Sequence, residues 1–263
     1  MVTSPQFQAG VLGAVQGLTE FLPVSSSAHL VIVPWLFKWT DPGLAFDVVL
    51  HLGTLVALLI YYWREWLTMA ASPFNGDLKN RRLLILLIVA SVPGAIIGVL
   101  LEKQAETVFR SPLLIAVTLG LMGLVLWFFD WIAPQRRKID NLTIKDALIV
   151  GFCQALAIIP GVSRSGATIT MARILHLERE DAANFSFLMA TPIIAGAGLK
   201  ESVHLVHNGI NAALAVGFLA SFGFGIVAIA FLIQYVRSHS YRSFGWYRLA
   251  AAIFVAAVYM LRH

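Results

Sequence analysis

Six stretches of this chain, 44–63, 83–101, 112–133, 184–200, 211–236 and 246–262, are apolar over lengths at or near the ~17–25 residues that let a helix cross a bilayer core. No soluble core needs so many. With 59% hydrophobic and only 13% charged residues, the composition is that of a membrane-embedded protein rather than a soluble domain, which carries about 25% charged residues. The expected fold is an all-α integral membrane protein forming a single membrane domain over 1–263. The N-terminus lacks a basic segment, and its first apolar stretch carries Gln16 and Glu20, so no cleavable leader is expected. Cys153 is the only cysteine, which excludes an intrachain disulfide and a thiolate cage.

Two further apolar regions, 6–37 and 143–175, are interrupted midway, by Leu22-Pro23-Val24-Ser25-Ser26-Ser27 and by Pro160-Gly161-Val162-Ser163-Arg164-Ser165-Gly166. Each reads as helix, break, helix. Such breaks survive at membrane depth only where protein or a watery cavity satisfies the backbone, so each region is expected to be a re-entrant hairpin; the plainer alternative is a surface loop.

Basic residues sort by side under this topology. One side holds thirteen (Arg64, Lys79, Arg81, Arg82, Arg136, Arg137, Lys138, Lys145, Arg173, Arg179, Arg237, Arg242 and Arg248), the other five (Lys38, Lys103, Arg110, Lys200 and Arg262). The formal charge of +5 therefore describes membrane orientation, not a nucleic-acid footprint, and no nucleic-acid partner is expected. Trp35, Trp39, Tyr61, Tyr62, Trp63, Trp66, Trp127 and Trp131 fall at span ends, as an interfacial belt would. Asp130, Glu178, Glu180 and Asp181 also fall near span ends or in loops, where they are expected to be solvated.

The two interrupted regions align without a gap, matching Gly13 to Gly151, Gln16 to Gln154, Leu18 to Leu156, Val24 to Val162, Ser25 to Ser163 and Ser27 to Ser165. Three spans follow each hairpin. Because three is odd, the halves, approximately 1–135 and 140–263, should form an inverted-topology repeat whose breaks meet inside the membrane.

Polar chemistry gathers at those breaks. Gln16 and Glu20 share a helix face; Ser25, Ser26, Ser27 and His29 open the next limb; Ser163, Arg164, Ser165 and Thr168 open its counterpart. Free amides at helix starts, a guanidinium and a carboxylate able to hold a bridging divalent cation describe a site for a diphosphate. Ser26 and His29, three residues apart, suggest a hydroxyl beside an imidazole, with serine, histidine or activated water as the attacking group. An ion pair with Glu20 is the bland account of Arg164. Asp47 and His51, four apart, could support the site from behind or merely open a helix. Inverted repeats with broken helices also build transporters, so a carrier or flippase for phosphate or a polyprenyl phosphate lipid is the rival to an enzyme.

The run Gln16-Gly17-Leu18-Thr19-Glu20-Phe21-Leu22-Pro23-Val24-Ser25-Ser26-Ser27-Ala28-His29, with Pro160-Gly161-Val162-Ser163-Arg164-Ser165-Gly166-Ala167-Thr168, resembles the two signature motifs of bacterial undecaprenyl-diphosphate phosphatases of the bacitracin-resistance type. The resemblance extends over essentially the whole chain. It implies a hydrolase of the cytoplasmic membrane with its site toward the outer side. Such an enzyme converts undecaprenyl diphosphate to undecaprenyl phosphate and phosphate with Mg or Ca, recycles the lipid carrier for cell-wall synthesis and confers bacitracin resistance. By motif position it implies Glu20 as acidic and metal-binding residue, Ser26 as favoured nucleophile, His29 as general acid or base and Arg164 as diphosphate clamp. Gln16, Ser25, Ser27, Ser163, Ser165 and Thr168 are the expected substrate contacts. Gln16 stands where the family has Glu or Gln, which leaves Glu20 the principal metal carboxylate. A homodimer is left open.

Overall fold

The computed structural model describes residues 4–101, 110–208 and 211–262, and the side chains of these except Leu44 and residues 200–208. Lys103 and the Lys200 side chain, counted above among the five basic residues of the less basic side, lie outside that description. The described residues form eleven α-helices: α1 (Pro5–Phe21), α2 (Ser26–Phe37), α3 (Leu44–Tyr61), α4 (Trp63–Asn75), α5 (Leu78–Leu100), α6 (Pro112–Ile132), α7 (Ile144–Ala155), α8 (Arg164–Ile174), α9 (Arg179–Asn208), α10 (Ala212–Ser238) and α11 (Arg242–Arg262).

Each of the six expected spans is a helix. α5, α6, α10, α11 and the stretch Arg179–Leu199 of α9 are long and apolar enough to cross a membrane, and α3 joins them when taken with α4, to which it is bent by 74°. α4 was not anticipated. It is amphipathic, burying Met69 and Ser72 while exposing Trp63, Leu67 and Phe74, so its residues look like a polar loop until wound at helical period.

The interrupted regions are two helix pairs. Ser4 caps α1 by accepting from Phe7 N at 3.2 Å, and α1 stops at Leu22 because Pro23 forces its predecessor into an extended conformation. α2, α7 and α8 have 12, 12 and 11 residues, so each is only ~18 Å long at about 1.5 Å per residue, short of a ~30 Å hydrocarbon core. Small residues let the helices close up. A Cβ on Gly17 of α1 would lie 2.5 Å from the Ser221 carbonyl oxygen of α10, and one on Gly151 of α7 would strike the Ala90 carbonyl of α5. Thus α1 packs on α10 as α7 packs on α5.

Two expectations about charge and one about the aromatic belt are corrected. Asp130 is fully buried, not solvated: Arg173 Nε and Arg179 Nε donate to its Oδ1 at 3.0 and 2.9 Å, and Tyr241 N donates to Oδ2 at 2.9 Å. Arg173 also donates to the carbonyls of Ala133, Pro134 and Leu177, so this knot ties the end of α6 to the α8–α9 and α10–α11 turns. Arg248 is not a loop charge either. α11 begins at Arg242, four residues before the expected span, and carries Arg248 into the protein with no exposed surface. Tyr62 is buried and donates to Asn184 Oδ1 at 2.7 Å, outside any interfacial belt.

Candidate active site

The two breaks touch. Gly161 N donates to Ser25 Oγ at 3.1 Å, and Ser165 Oγ donates to the carbonyls of Glu20 and Leu22 at 3.2 and 3.1 Å. Ser25 (φ 75°) and Ser163 (φ 71°), the residues paired by the sequence repeat, both adopt positive φ, which L side chains rarely tolerate. That backbone reverses the chain just before α2 and α8. Arg248 binds both turns from behind, donating to Pro23 O at 3.2 Å, Gly161 O at 2.6 Å and Val162 O at 2.9 Å. A buried guanidinium held by carbonyls alone draws the carbonyls away from the opposite side and leaves amide hydrogens to face it.

On that opposite side lies a cavity of about 330 Å³. Its polar wall comprises Glu20, Ser26, Ser27, Asp47, His51, Gln154, Ser163 and Arg164; Ile193, Ile194 and Ala197 are among its apolar residues. Glu20 is the hub. Ser26 Oγ donates to its Oε2 at 2.6 Å, Gln16 Nε2 donates to the same oxygen at 3.0 Å, and Arg164 Nη2 donates to Oε1 at 2.9 Å. Arg164 Nη1 is fixed by the Ser186 carbonyl at 3.1 Å, but its buried Nε has no partner among the described residues. The ion pair weighed as the bland account of Arg164 therefore exists, and it leaves a guanidinium donor free beside the cavity.

The helix starts differ. Ser163 Oγ caps α8 by accepting from Gly166 N at 3.0 Å, whereas Ser25 gives α2 no side-chain cap, its hydroxyl being engaged by Gly161. The first amides of α2, at the cavity-lining Ser26 and Ser27, have no intrahelical acceptor and favour an anion.

The expected site residues divide accordingly. Glu20, Ser26, Ser27, Ser163 and Arg164 line the cavity, and Gln16 reaches it through Glu20. Ser25, Ser165 and Thr168 do not line it. Their hydroxyls hold the breaks together, Thr168 Oγ sitting 2.6 Å from Ser186 Oγ and donating to Arg164 O at 2.9 Å. His29 is also elsewhere. Its Nδ1 is 2.7 Å from the Ser25 carbonyl oxygen, its Nε2 is 2.7 Å from the Tyr247 hydroxyl, and its ring stacks on that of Tyr247. The imidazole at the carboxylate is His51, with Nε2 3.4 Å from Glu20 Oε2 and Nδ1 held 2.7 Å from Asp47 O. Asp47 is itself paired with Arg110 at 3.1 Å.

Among the described residues no group of three His, Cys, Asp or Glu could hold a metal by itself. Glu20 already accepts from three side chains. This donor set fits a cation that arrives on a diphosphate and takes most of its ligands from phosphate oxygens and water, as Mg prefers.

A multi-pass helical membrane protein with a buried serine and carboxylate and a partly buried guanidinium lining a largely apolar cavity is built to bind an anionic head group with an apolar tail. The model of the bacitracin resistance protein BacA family matches residues 9–254, and this chain belongs to that family. Among its relatives, the undecaprenyl-diphosphatase of Moorella thermoacetica is 54% identical across 97% of this chain and 98% of its own length. Those of Pelotomaculum thermopropionicum and Desulforudis audaxviator are 49% and 48% identical, over 95% and 97% of this chain and 95% and 98% of their own.

Proposed function

We infer that this chain is an undecaprenyl-diphosphatase, which hydrolyses undecaprenyl diphosphate to undecaprenyl phosphate and phosphate and so returns the lipid carrier to cell-wall synthesis. Curated relatives bearing that name, similar along their whole length, favour hydrolysis over the transporter alternative. The observation that carries the chemistry is the 2.6 Å hydrogen bond from Ser26 to Glu20, a hydroxyl already in contact with a base.

Ser26 Oγ attacks the terminal phosphorus while its proton passes to Glu20. The bond from that phosphorus to the bridging oxygen breaks, and undecaprenyl phosphate leaves with the oxygen and its electron pair. Arg164 and the first amides of α2 stabilise charge on the equatorial oxygens. Glu20 passes the first proton on to His51 and then takes one from water, which attacks the phosphoserine; Ser26 departs with its electrons and recovers that second proton, and His51 releases the first to solvent as phosphate leaves. A divalent cation, Mg or Ca, would be held by Glu20 together with the substrate's phosphate oxygens and would neutralise charge there.

The expected setting is the cytoplasmic membrane with the cavity toward its outer side; the placing of Asp47 near the start of α3 and of Gly94 and Gly98 in the last turns of α5, away from the arginine-rich turns, supports that orientation. Matching φ at Ser25 and Ser163 and the α1–α10 and α7–α5 packing support two re-entrant pairs related by an inverted repeat.

The test is phosphate release from undecaprenyl diphosphate by the purified protein in detergent with Mg. Arg164→Ala should lower turnover by about 100-fold or more. No release by the wild type ends the inference.

A further inference from the structure

The two halves differ at one pair of amides. Gln16 and Gln154 hold matching places ahead of their breaks, but four residues on, the first helix has Glu20 and the second segment has Ile158. Gln16 therefore donates to a carboxylate in its own helix, whereas Gln154 has none to meet. Gln154 is only 4% exposed, and neither its Nε2 nor its Oε1 has a hydrogen-bond partner among the described residues. An unpaired buried carboxamide disfavours the folded state, so a group left this way calls for an account.

Its surroundings supply one. Gln154 lines the same cavity as Glu20, Ser26 and Arg164. Space for its amide is provided by a missing side chain: a Cβ at Gly94 would come 2.8 Å from Gln154 Nε2 and 3.6 Å from Ile193 Cδ1. The carboxamide thus stands where the polar end of the cavity gives way to the apolar wall.

We propose that Gln154 is a substrate-contact residue whose carboxamide hydrogen-bonds the lipid-proximal phosphate of the polyprenyl diphosphate, the phosphate retained in the lipid product. This rests on the diphosphatase assignment. Ser26 and Arg164 address the terminal phosphate, the prenyl chain follows the apolar wall past Gly94 and Ile193, and the phosphate between them meets the Gln154 N–H groups. The same contact separates a polyprenyl diphosphate from free inorganic phosphate, which has no second phosphate to offer.

The test uses the full-length protein in detergent with Gln154→Leu, a near-isosteric change that removes no hydrogen bond from the unliganded protein. KM for undecaprenyl diphosphate should rise roughly tenfold, the loss expected for one hydrogen bond to a charged group. Inhibition by undecaprenyl phosphate should weaken by a similar factor, inhibition by inorganic phosphate should stay unchanged, and the melting temperature should hold or rise. Gly94→Ala, which pushes the amide aside, should reproduce the kinetic pattern. Wild-type KM and product inhibition in Gln154→Leu would overturn the proposal, as would equal weakening of both inhibitors or a fall in melting temperature that accounts for the lost affinity. If the wild type releases no phosphate, the enzymatic assignment fails instead, and direct binding of undecaprenyl phosphate to the wild type and both variants still decides the contact.

Discussion

Ser26 Oγ donates to Glu20 Oε2 at 2.6 Å although the two residues belong to different helices on either side of a break. The nucleophile–base pair proposed above is therefore hydroxyl and carboxylate rather than hydroxyl and His29, whose ring nitrogens meet Ser25 O and Tyr247. Ser26→Ala and Glu20→Gln should each lower kcat by about 10²–10⁴-fold, and the double variant should be little worse than either single one, because the two groups serve one proton transfer. Steady-state phosphate release from all three variants checks this; multiplicative losses would show that the groups act apart.

The two histidines should separate by pH. His51→Gln removes an imidazole 3.4 Å from Glu20 and should change the shape of the pH–rate profile. His29→Ala removes a brace between Ser25 O and Tyr247, so it should lower kcat while leaving that shape intact, and Tyr247→Phe should reproduce part of the loss. Profiles of kcat/KM for the three variants decide it. A His29 variant with an altered profile and a His51 variant without one would reverse the roles.

Arg248 has no carboxylate partner among the described residues and is held by the carbonyls of both breaks. Arg248→Met should strand those acceptors and cost roughly 2–4 kcal/mol. Asp130→Asn should cost about 3–5 kcal/mol, because it leaves Arg173 buried beside a neutral group. Thermal unfolding in detergent would show both. Only Arg248→Met should also lower activity at temperatures where the protein stays folded, since Asp130 neither lines the cavity nor binds either break.

Among the described residues the only carboxylates lining the cavity are Glu20, already engaged by Ser26, Gln16 and Arg164, and Asp47, paired with Arg110, so the proposed divalent cation should depend on the substrate's diphosphate. Titration of Mg into the substrate-free protein should show no saturable binding below the millimolar range, while turnover should stop with chelator and return with Mg. Tight binding to the free protein would reveal a resident site.

The helix plan was legible because membrane spans are written in long apolar runs, and the breaks were legible because Pro23, Pro160 and clustered serines stand out inside such runs. Even the shared backbone turn at Ser25 and Ser163 lay in the repeat. The wiring of the site was less so. His29 is near Ser26 in sequence, but Ser26 opens α2 with its hydroxyl turned back to α1, and the histidine that reaches Glu20 comes from α3, a contact that no local spacing records. Ser25, Ser165 and Thr168 carry the same hydroxyl as Ser26, and only the tertiary structure distinguishes a group that faces a cavity from one that binds a turn. Arg248 and Asp130 were misread for one reason: near the end of an apolar run, a charge bound for solvent and a charge folded inward look alike.

The grip of Arg248 on both breaks also bears on when the protein becomes competent during its synthesis. α11 follows the other described helices in the chain, yet the Arg248 guanidinium joins the turn before α2 to the turn before α8. A nascent chain halted after α10 would hold every side chain assigned to the diphosphate and still lack the tie that keeps them in register. Assembly of the cavity therefore waits on the docking of α11, however early its own residues are made.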